Sequence, residues 1–214
     1  ATLAGQSVLI IEMMSSNGSS LTDFEGDSPD WIELYNSTYA TIDLNNWKIT
    51  DDHDDINKGV FPSLSIQAKS YLIVFASGKD RATAGSELHT HFSLNATGEY
   101  LALVKPDGTT IVSEFSPSYP NQPADVSFGF DPVALLEGFF LSPTPGSANA
   151  GGFTNFVADT SFSVDRGFYN SPISVAITSD TPGAEIRYTI DGSKPTGSTG
   201  SVYSAPIAIS QNTV

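Results

Sequence analysis

The 214-residue sequence contains no cysteine, so disulfides, zinc–thiolate centres and thiol nucleophiles are excluded. Basic residues are scarce: nine Lys and Arg stand against 24 Asp and Glu, a formal charge of −15. Such a surface repels nucleic-acid phosphates and anionic lipid headgroups, and suits cations or basic partners. No apolar run approaches the ~20 residues that a membrane helix needs. Helical periodicity is nearly absent too; its best candidate, Pro132 to Gly138, would make at most a turn or two. There is no G-x-S-x-G elbow, phosphate loop or dinucleotide fingerprint. Because the chain opens on Ala1 rather than Met, and Ala1 to Ser7 is too short and polar for a signal peptide, a processed or trimmed product is expected.

What is present is a globular composition, with a mean hydropathy near zero, and short apolar stretches punctuated by Gly, Pro, Asn and Asp. That pattern predicts an all-β fold built as a sandwich. The central stretch is Asp30-Trp31-Ile32-Glu33-Leu34-Tyr35-Asn36, whose alternation puts Ile32 and Leu34 on one face and Trp31, Glu33 and Tyr35 on the other. Ile42 to Thr50 follows after a short polar link, and the simplest reading pairs the two as a hairpin. Further strands are predicted over Val8–Met13, Tyr71–Ala76, Glu99–Lys105, Thr109–Phe115 and Ser127–Phe130, with shorter pieces at Phe61–Ile66 and His89–Leu94. Lys105-Pro106-Asp107-Gly108 has the chemistry of a hairpin turn. Predicted core residues are Ile11, Ile32, Leu34, Leu44, Trp47, Ile49, Leu72, Val74, Leu101 and Leu103. Pro143-Thr144-Pro145-Gly146 closes this unit and Asn149 to Gly152 reads as a linker, giving domains at 1–150 and 151–214. The second carries strands near 161–164, 173–178, 186–190 and 206–209. It is expected to be a smaller, incomplete sandwich, cut as another strand begins.

Three constellations could carry chemistry. Asp23, Glu25, Asp27 and Asp30 enter the central strand, while Asp51, Asp52, Asp54 and Asp55 leave its hairpin partner. In an antiparallel pair these loops share one end, where clustered carboxylates and a Gly turn at Gly26 could coordinate calcium. The six closest candidates are Asp23, Glu25, Asp27, Asp30, Asp51 and Asp52. A solvated acidic rim is the plainer alternative, and it is favoured. Glu33 between Trp31 and Tyr35 resembles a sugar-binding patch, against an outer face covered by a loop, which is favoured because bulky aromatics are usually buried. His89 and His91 could begin a metal site, but no third ligand lies nearby in sequence.

Several motifs together resemble a known family: Ile11-Glu12-Met13-Met14, Asp30 to Asn36, Leu44-x-x-Trp47-x-Ile49-Thr50-Asp51, Phe61-Pro62, Tyr71 to Lys79, Gly98 to Leu103 with the Asp107-Gly108 turn, and Pro143 to Asn149. Over roughly residues 5–150 they are similar to the bacterial form of the lamin tail domain, which implies an immunoglobulin-like β-sandwich. Arg166-Gly167-Phe168-Tyr169 and Ile186 to Thr196 resemble the accessory β-sandwich related to the C-terminal domain of chitobiase and β-hexosaminidase. The resemblance implies an exported bacterial protein with further domains, often hydrolases or spore-coat-protein-H-like kinases. Chromatin binding by animal lamin tails is not carried over to so acidic a chain.

The expectation is therefore a non-catalytic interaction, spacer or surface-attachment module, extracellular or at the cell surface, meeting a protein or glycan. No nucleic acid and no membrane span are expected, and no cofactor beyond the candidate calcium. A carbohydrate-binding module, with an aromatic platform around Trp31, Tyr35, Tyr39 or Tyr119, is the first alternative. A hydrolase with an unrecognised site is the second.

Overall fold

The computed structural model describes residues 7–132, 134–211 and 213. The chain forms two compact units, Ala1–Asn155 and Phe156–Val214. In the first the strands are β1 (Val8–Met14), β2 (Asp30–Asn36), β3 (Ile42–Asp43), β4 (Lys48–Thr50), β5 (Gly59–Val60), β6 (Ser65–Ile66), β7 (Tyr71–Ala76), β8 (Leu88–His89), β9 (Leu101–Val104), β10 (Ile111–Phe115), β11 (Ser127–Asp131) and β12 (Leu136–Phe140). Six of them form a sheet in the order β12-β11-β1-β2-β7-β8, antiparallel except for β7–β8. Four form the facing sheet, β10-β9-β4-β5, and β3 pairs with β6 apart from both.

The core lies between the sheets. Val8, Ile10, Met13, Ile32, Leu34 and Val74 from the larger sheet meet Ile49, Leu101, Leu103, Val112 and Phe115 from the smaller one, with Leu44 and Trp47 alongside. Of the predicted core residues, Ile11 belongs instead to a cluster on the outer face with Leu9 and Phe130, and Leu72 is partly buried against the main core.

β1 controls this arrangement through a bulge. Its register with β2 runs Ile10↔Leu34 and then Glu12↔Glu33, leaving Ile11 as the extra residue. Side chains alternate along a strand, and one inserted residue reverses the alternation beyond it. Val8 and Ile10 point inward before the bulge and Met13 after it, while Ile11 and Glu12 both face outward. An unbroken strand would have driven the Glu12 carboxylate between the sheets.

The predicted hairpin between 30–36 and 42–50 is not made. β2 pairs with β1 and β7, whereas β4 lies in the other sheet between β9 and β5. Asn36 explains the departure. Its Nδ2 donates to the carbonyls of Ala40, Ile66 and Gln67 at 2.8–3.0 Å, and its Oδ1 accepts from the amide and hydroxyl of Thr38. These bonds turn the chain out of the first sheet, so Leu44, Trp47 and Ile49 face Ile32 and Leu34 across the core rather than beside them. The helical turn entertained near 132–138 is likewise replaced: after a tight turn in which Asp131 accepts from the amides of Ala134 and Leu135, the chain returns as β12. The Lys105–Gly108 turn forms as predicted, with Gly108 at φ +73°.

The second unit contains β13 (Thr160–Phe162), β14 (Ile173–Val175), β15 (Ile177–Ser179), β16 (Arg187–Tyr188), β17 (Ser201–Val202) and β18 (Ile207–Ile209). They form three antiparallel two-stranded sheets, β13–β15, β14–β18 and β16–β17. Among its described residues Ile177 is the buried hydrophobic one, so its core is slight.

The bulge also explains Gly129, which sits opposite Glu12. A Cβ there would lie 2.2 Å from the Ile11 carbonyl oxygen and 2.8 Å from the Glu12 Cα, both backbone atoms. Gly129→Ala is expected to destabilise the protein by about 1–3 kcal/mol or more, measured by urea unfolding followed through tryptophan fluorescence.

Candidate functional site

The acidic loop before β2 is shaped by Asp23, which is buried. Its Oδ1 accepts from the amides of Glu25 and Asp27 at 3.0 Å, while its backbone closes the turn at Gly26, φ +86°. This local fold gathers the carboxylates of Asp23, Glu25 and Asp27 so that one oxygen of each lies within 4.8 Å of the others. Lys79 stands among them: its Nζ donates to Asp23 at 2.5 Å and to Glu25 and Asp27 at 2.7 Å. Arg81 adds a bond to Glu25 at 2.9 Å and lies over the Phe24 ring, and Glu87 accepts from the Phe24 amide. The hydrogen bond from Lys79 holds the Asp23 and Glu25 carboxyls below their usual range, and the Lys79 ammonium is raised in turn, first by Asp23.

The other expected calcium ligands lie apart from this cluster. Asp30 accepts from the Asn17 amide at 3.2 Å, and burial pushes its carboxyl up. Asp51 and Asp52 have their own cation in Lys58, at 2.7 and 3.7 Å. The six residues are thus divided among three places: Asp51 and Asp52 leave with β4 because the hairpin does not form, and Asp30 is turned to the Asn17 amide at the start of β2. His89 and His91 separate as well. The His89 ring is buried, stacked on Phe75, with Nδ1 2.9 Å from the Ser77 hydroxyl; His91 is exposed.

The Trp31–Glu33–Tyr35 stripe does not present a sugar platform. Trp31 and Glu33 are fully buried, and Tyr35 is half-buried with its ring stacked on Tyr71. Tyr119 is buried as well; Tyr39 is exposed, with the Lys69 ammonium 4.2 Å from its ring centre. The outer face is covered because loops lie on it: Leu21 packs on Trp31, and the 143–149 segment lies on the two glutamates.

That segment is a feature sequence reasoning did not connect to the stripe. Glu12 and Glu33 oppose each other across β1 and β2, and both are fully buried. Glu12 accepts from the Ser127 hydroxyl, the Thr144 amide at 3.2 Å and the Thr144 hydroxyl at 3.1 Å. Glu33 Oε1 accepts from the Gly146 amide, and its Oε2 has no hydrogen-bond partner. Burial, aided by the neighbouring Glu12, pushes the Glu33 carboxyl up to about 8; burial raises Glu12 too, opposed by its hydrogen bonds. Asn149 finishes the attachment, donating to the carbonyls of Ile11 and Phe130 and accepting from the Thr144 hydroxyl. The signal for Lys79 and Arg81 was their scarcity: two of only nine basic residues fall two apart, in Gly78-Lys79-Asp80-Arg81.

In the second unit Asp191 accepts from the amide and hydroxyl of Ser193, which is turn chemistry. A cleft of about 1170 Å³ there is lined by Phe162, Arg166, Phe168, Tyr169 and Gln211 among others.

The model of the Lamin Tail Domain family matches residues 1–117. The chain belongs to that family. The lamin tail domain is immunoglobulin-like, and the two-sheet body described above is its sandwich. The matched stretch ends just after β10, so β11, β12 and the 143–149 segment lie outside it. The model of the Chitobiase/beta-hexosaminidase C-terminal domain matches residues 164–214, inside the second unit. No curated protein matches the chain. Among the described residues no helix is long and apolar enough to cross a membrane.

With Lys79 in place, the Asp23 triad of the lamin tail domain already holds a cation. Lys79→Ala is expected to lower the melting temperature at neutral pH and to create a calcium-dependent stabilisation that the unmodified chain lacks. Because the Asp23 pKa is lowered on folding, its contribution is present above its unfolded value of 3.8 and is lost as pH falls through the folded value. The gap between the two proteins is therefore expected to narrow as pH falls below 3.8, as thermal scans at pH 7 and pH 3, with and without calcium, would reveal.

Proposed function

We propose that this chain is a non-catalytic interaction, spacer or surface-attachment module of a larger exported bacterial protein. The observation that carries this reading is the employment of its charged groups. Asp23, Glu25 and Asp27 are tied by Lys79, and Glu12 and Glu33 by the backbone and hydroxyl of a single segment. These are the groups whose clustering or shifted acidity would suggest an active site. Each holds a loop against the sandwich, and Glu33, the most perturbed carboxyl of the pair, lies beneath covering chain. The strong negative charge favours a basic protein surface as partner and disfavours nucleic acid. Export and a place at the cell surface rest on the likeness to modules found in exported bacterial proteins.

A second reading, glycan binding, is favoured by the second unit. Its cleft combines the exposed rings of Phe162, Phe168 and Tyr169 with Arg166 and Gln211, the mixture of apolar faces and polar donors that suits sugar rings. The platform first sought on β2 thus has a counterpart elsewhere in the chain.

The test is to pass the whole chain over a glycan array and to assay it against chromogenic glycoside and ester substrates. The module reading expects neither retention nor turnover. Retention that falls at least tenfold in Phe168→Ala would replace it with the glycan reading, and turnover would overturn both.

A further inference from the structure

We propose that residues 143–149 form a pH-released strap, held on the outer face of the larger sheet only while the Glu12–Glu33 pair keeps a proton. The bulge in β1 places both carboxyls on one face at directly opposed positions, and both are fully buried. Among the described residues no cation pairs with either of them. The titratable and polar groups facing Glu33 are Glu12 on β1, Tyr35 on its own strand, Tyr71 on β7, Ser127 on β11 through its bond to Glu12, and Thr144 and Gly146 of the strap. Two adjacent carboxylates in such surroundings cannot both ionise without heavy cost. The Gly146 amide favours the ionised form of Glu33, but one donor does not replace a hydration shell, and Oε2 has none at all. Lifting Thr144 and Gly146 would admit water to both carboxylates.

The attachment is divided in a way that suits partial release. Thr144 and Gly146 are held by titratable groups. Asn149 is held by the Ile11 and Phe130 carbonyls, which do not titrate. The opening is thus hinged at Asn149 and leaves the strands beneath it paired.

The direction follows from the raised Glu33 pKa. The closed strap is favoured fully below the unperturbed value of 4.5, and that advantage is lost as pH rises toward about 8. Between those limits the opening constant grows about tenfold per pH unit.

Amide hydrogen exchange of Thr144 and Gly146, read by NMR on the full chain and corrected for intrinsic rates, tests this. Protection is expected to fall at least about tenfold from pH 6 to pH 8, while the β2 and β7 amides keep theirs. Glu33→Gln retains an acceptor for Gly146 and does not titrate, so its strap protection should stay level from pH 7 to pH 9. Should that variant fail to fold, Glu12→Gln serves instead: removing the neighbouring charge lowers the Glu33 pKa, so the loss should be smaller and level off at lower pH. Protection of the strap that is independent of pH in the unmodified chain overturns the proposal. So does a loss shared equally by β2 and β7, or one that neither variant alters.

Discussion

The structure of the first unit depends on one extra residue in β1. By breaking the alternation at Ile11, the bulge sends Met13 into the core and keeps Glu12 out of it. The same displacement brings the Ile11 carbonyl so close to β11 that only glycine fits at 129, and presents that carbonyl to Asn149. Core composition, strand pairing and the fastening of the 143–149 segment are therefore not independent. Each follows from where the chain goes out of step.

The sandwich is also unusual in having two buried faces on its central strands. All seven residues of β1 are buried, as are five of the seven in β2. One side faces the opposing sheet. The other is covered by loop segments that bring few apolar groups and many hydrogen bonds. This division sets different physics on the two sides. The inner face is held by area removed from water. The outer face is held by polar contacts whose strength depends on protonation and ion pairing, with Lys79 supplying the charge at one end and a shared proton at the other.

Much of the body was legible in the sequence. β1, β2, β7, β9, β10 and β11 lie where apolar alternation and turn chemistry put them, and the inward faces of Ile32, Leu34, Ile49 and Leu103 follow from the same pattern. The partners of those strands were not legible. Ile42 to Thr50 looks like the return arm of a hairpin because proximity is the simplest assumption, and nothing local reports that Asn36, besides the nearby Ala40 carbonyl, binds those of Ile66 and Gln67 from distant chain. β12 was missed because Leu136-Glu137-Gly138-Phe139-Phe140 lacks alternation, and its pairing with β11 is set by a turn containing positive φ at Leu135. The candidate site was legible only in part. The Asp23–Asp27 cluster is local and could be read; its lysine comes from 52 or more residues away and could not. The burial of Trp31 and Glu33 followed from the general habit of bulky aromatics, but the identity of the covering segment, more than 100 residues later, required the fold.

The side chain of Asn36 has a practical corollary. Asn36-Ser37-Thr38, Asn17-Gly18-Ser19 and Asn95-Ala96-Thr97 are all acceptor sequences for N-linked glycosylation. At Asn36 the nitrogen that would carry the sugar is the one shared by three backbone carbonyls, and at Asn17 it donates to Leu21 and Pro29. Asn95 is exposed. In a eukaryotic secretory host, a glycan added during synthesis to Asn36 or Asn17 would obstruct folding, whereas one on Asn95 would be carried on the finished surface.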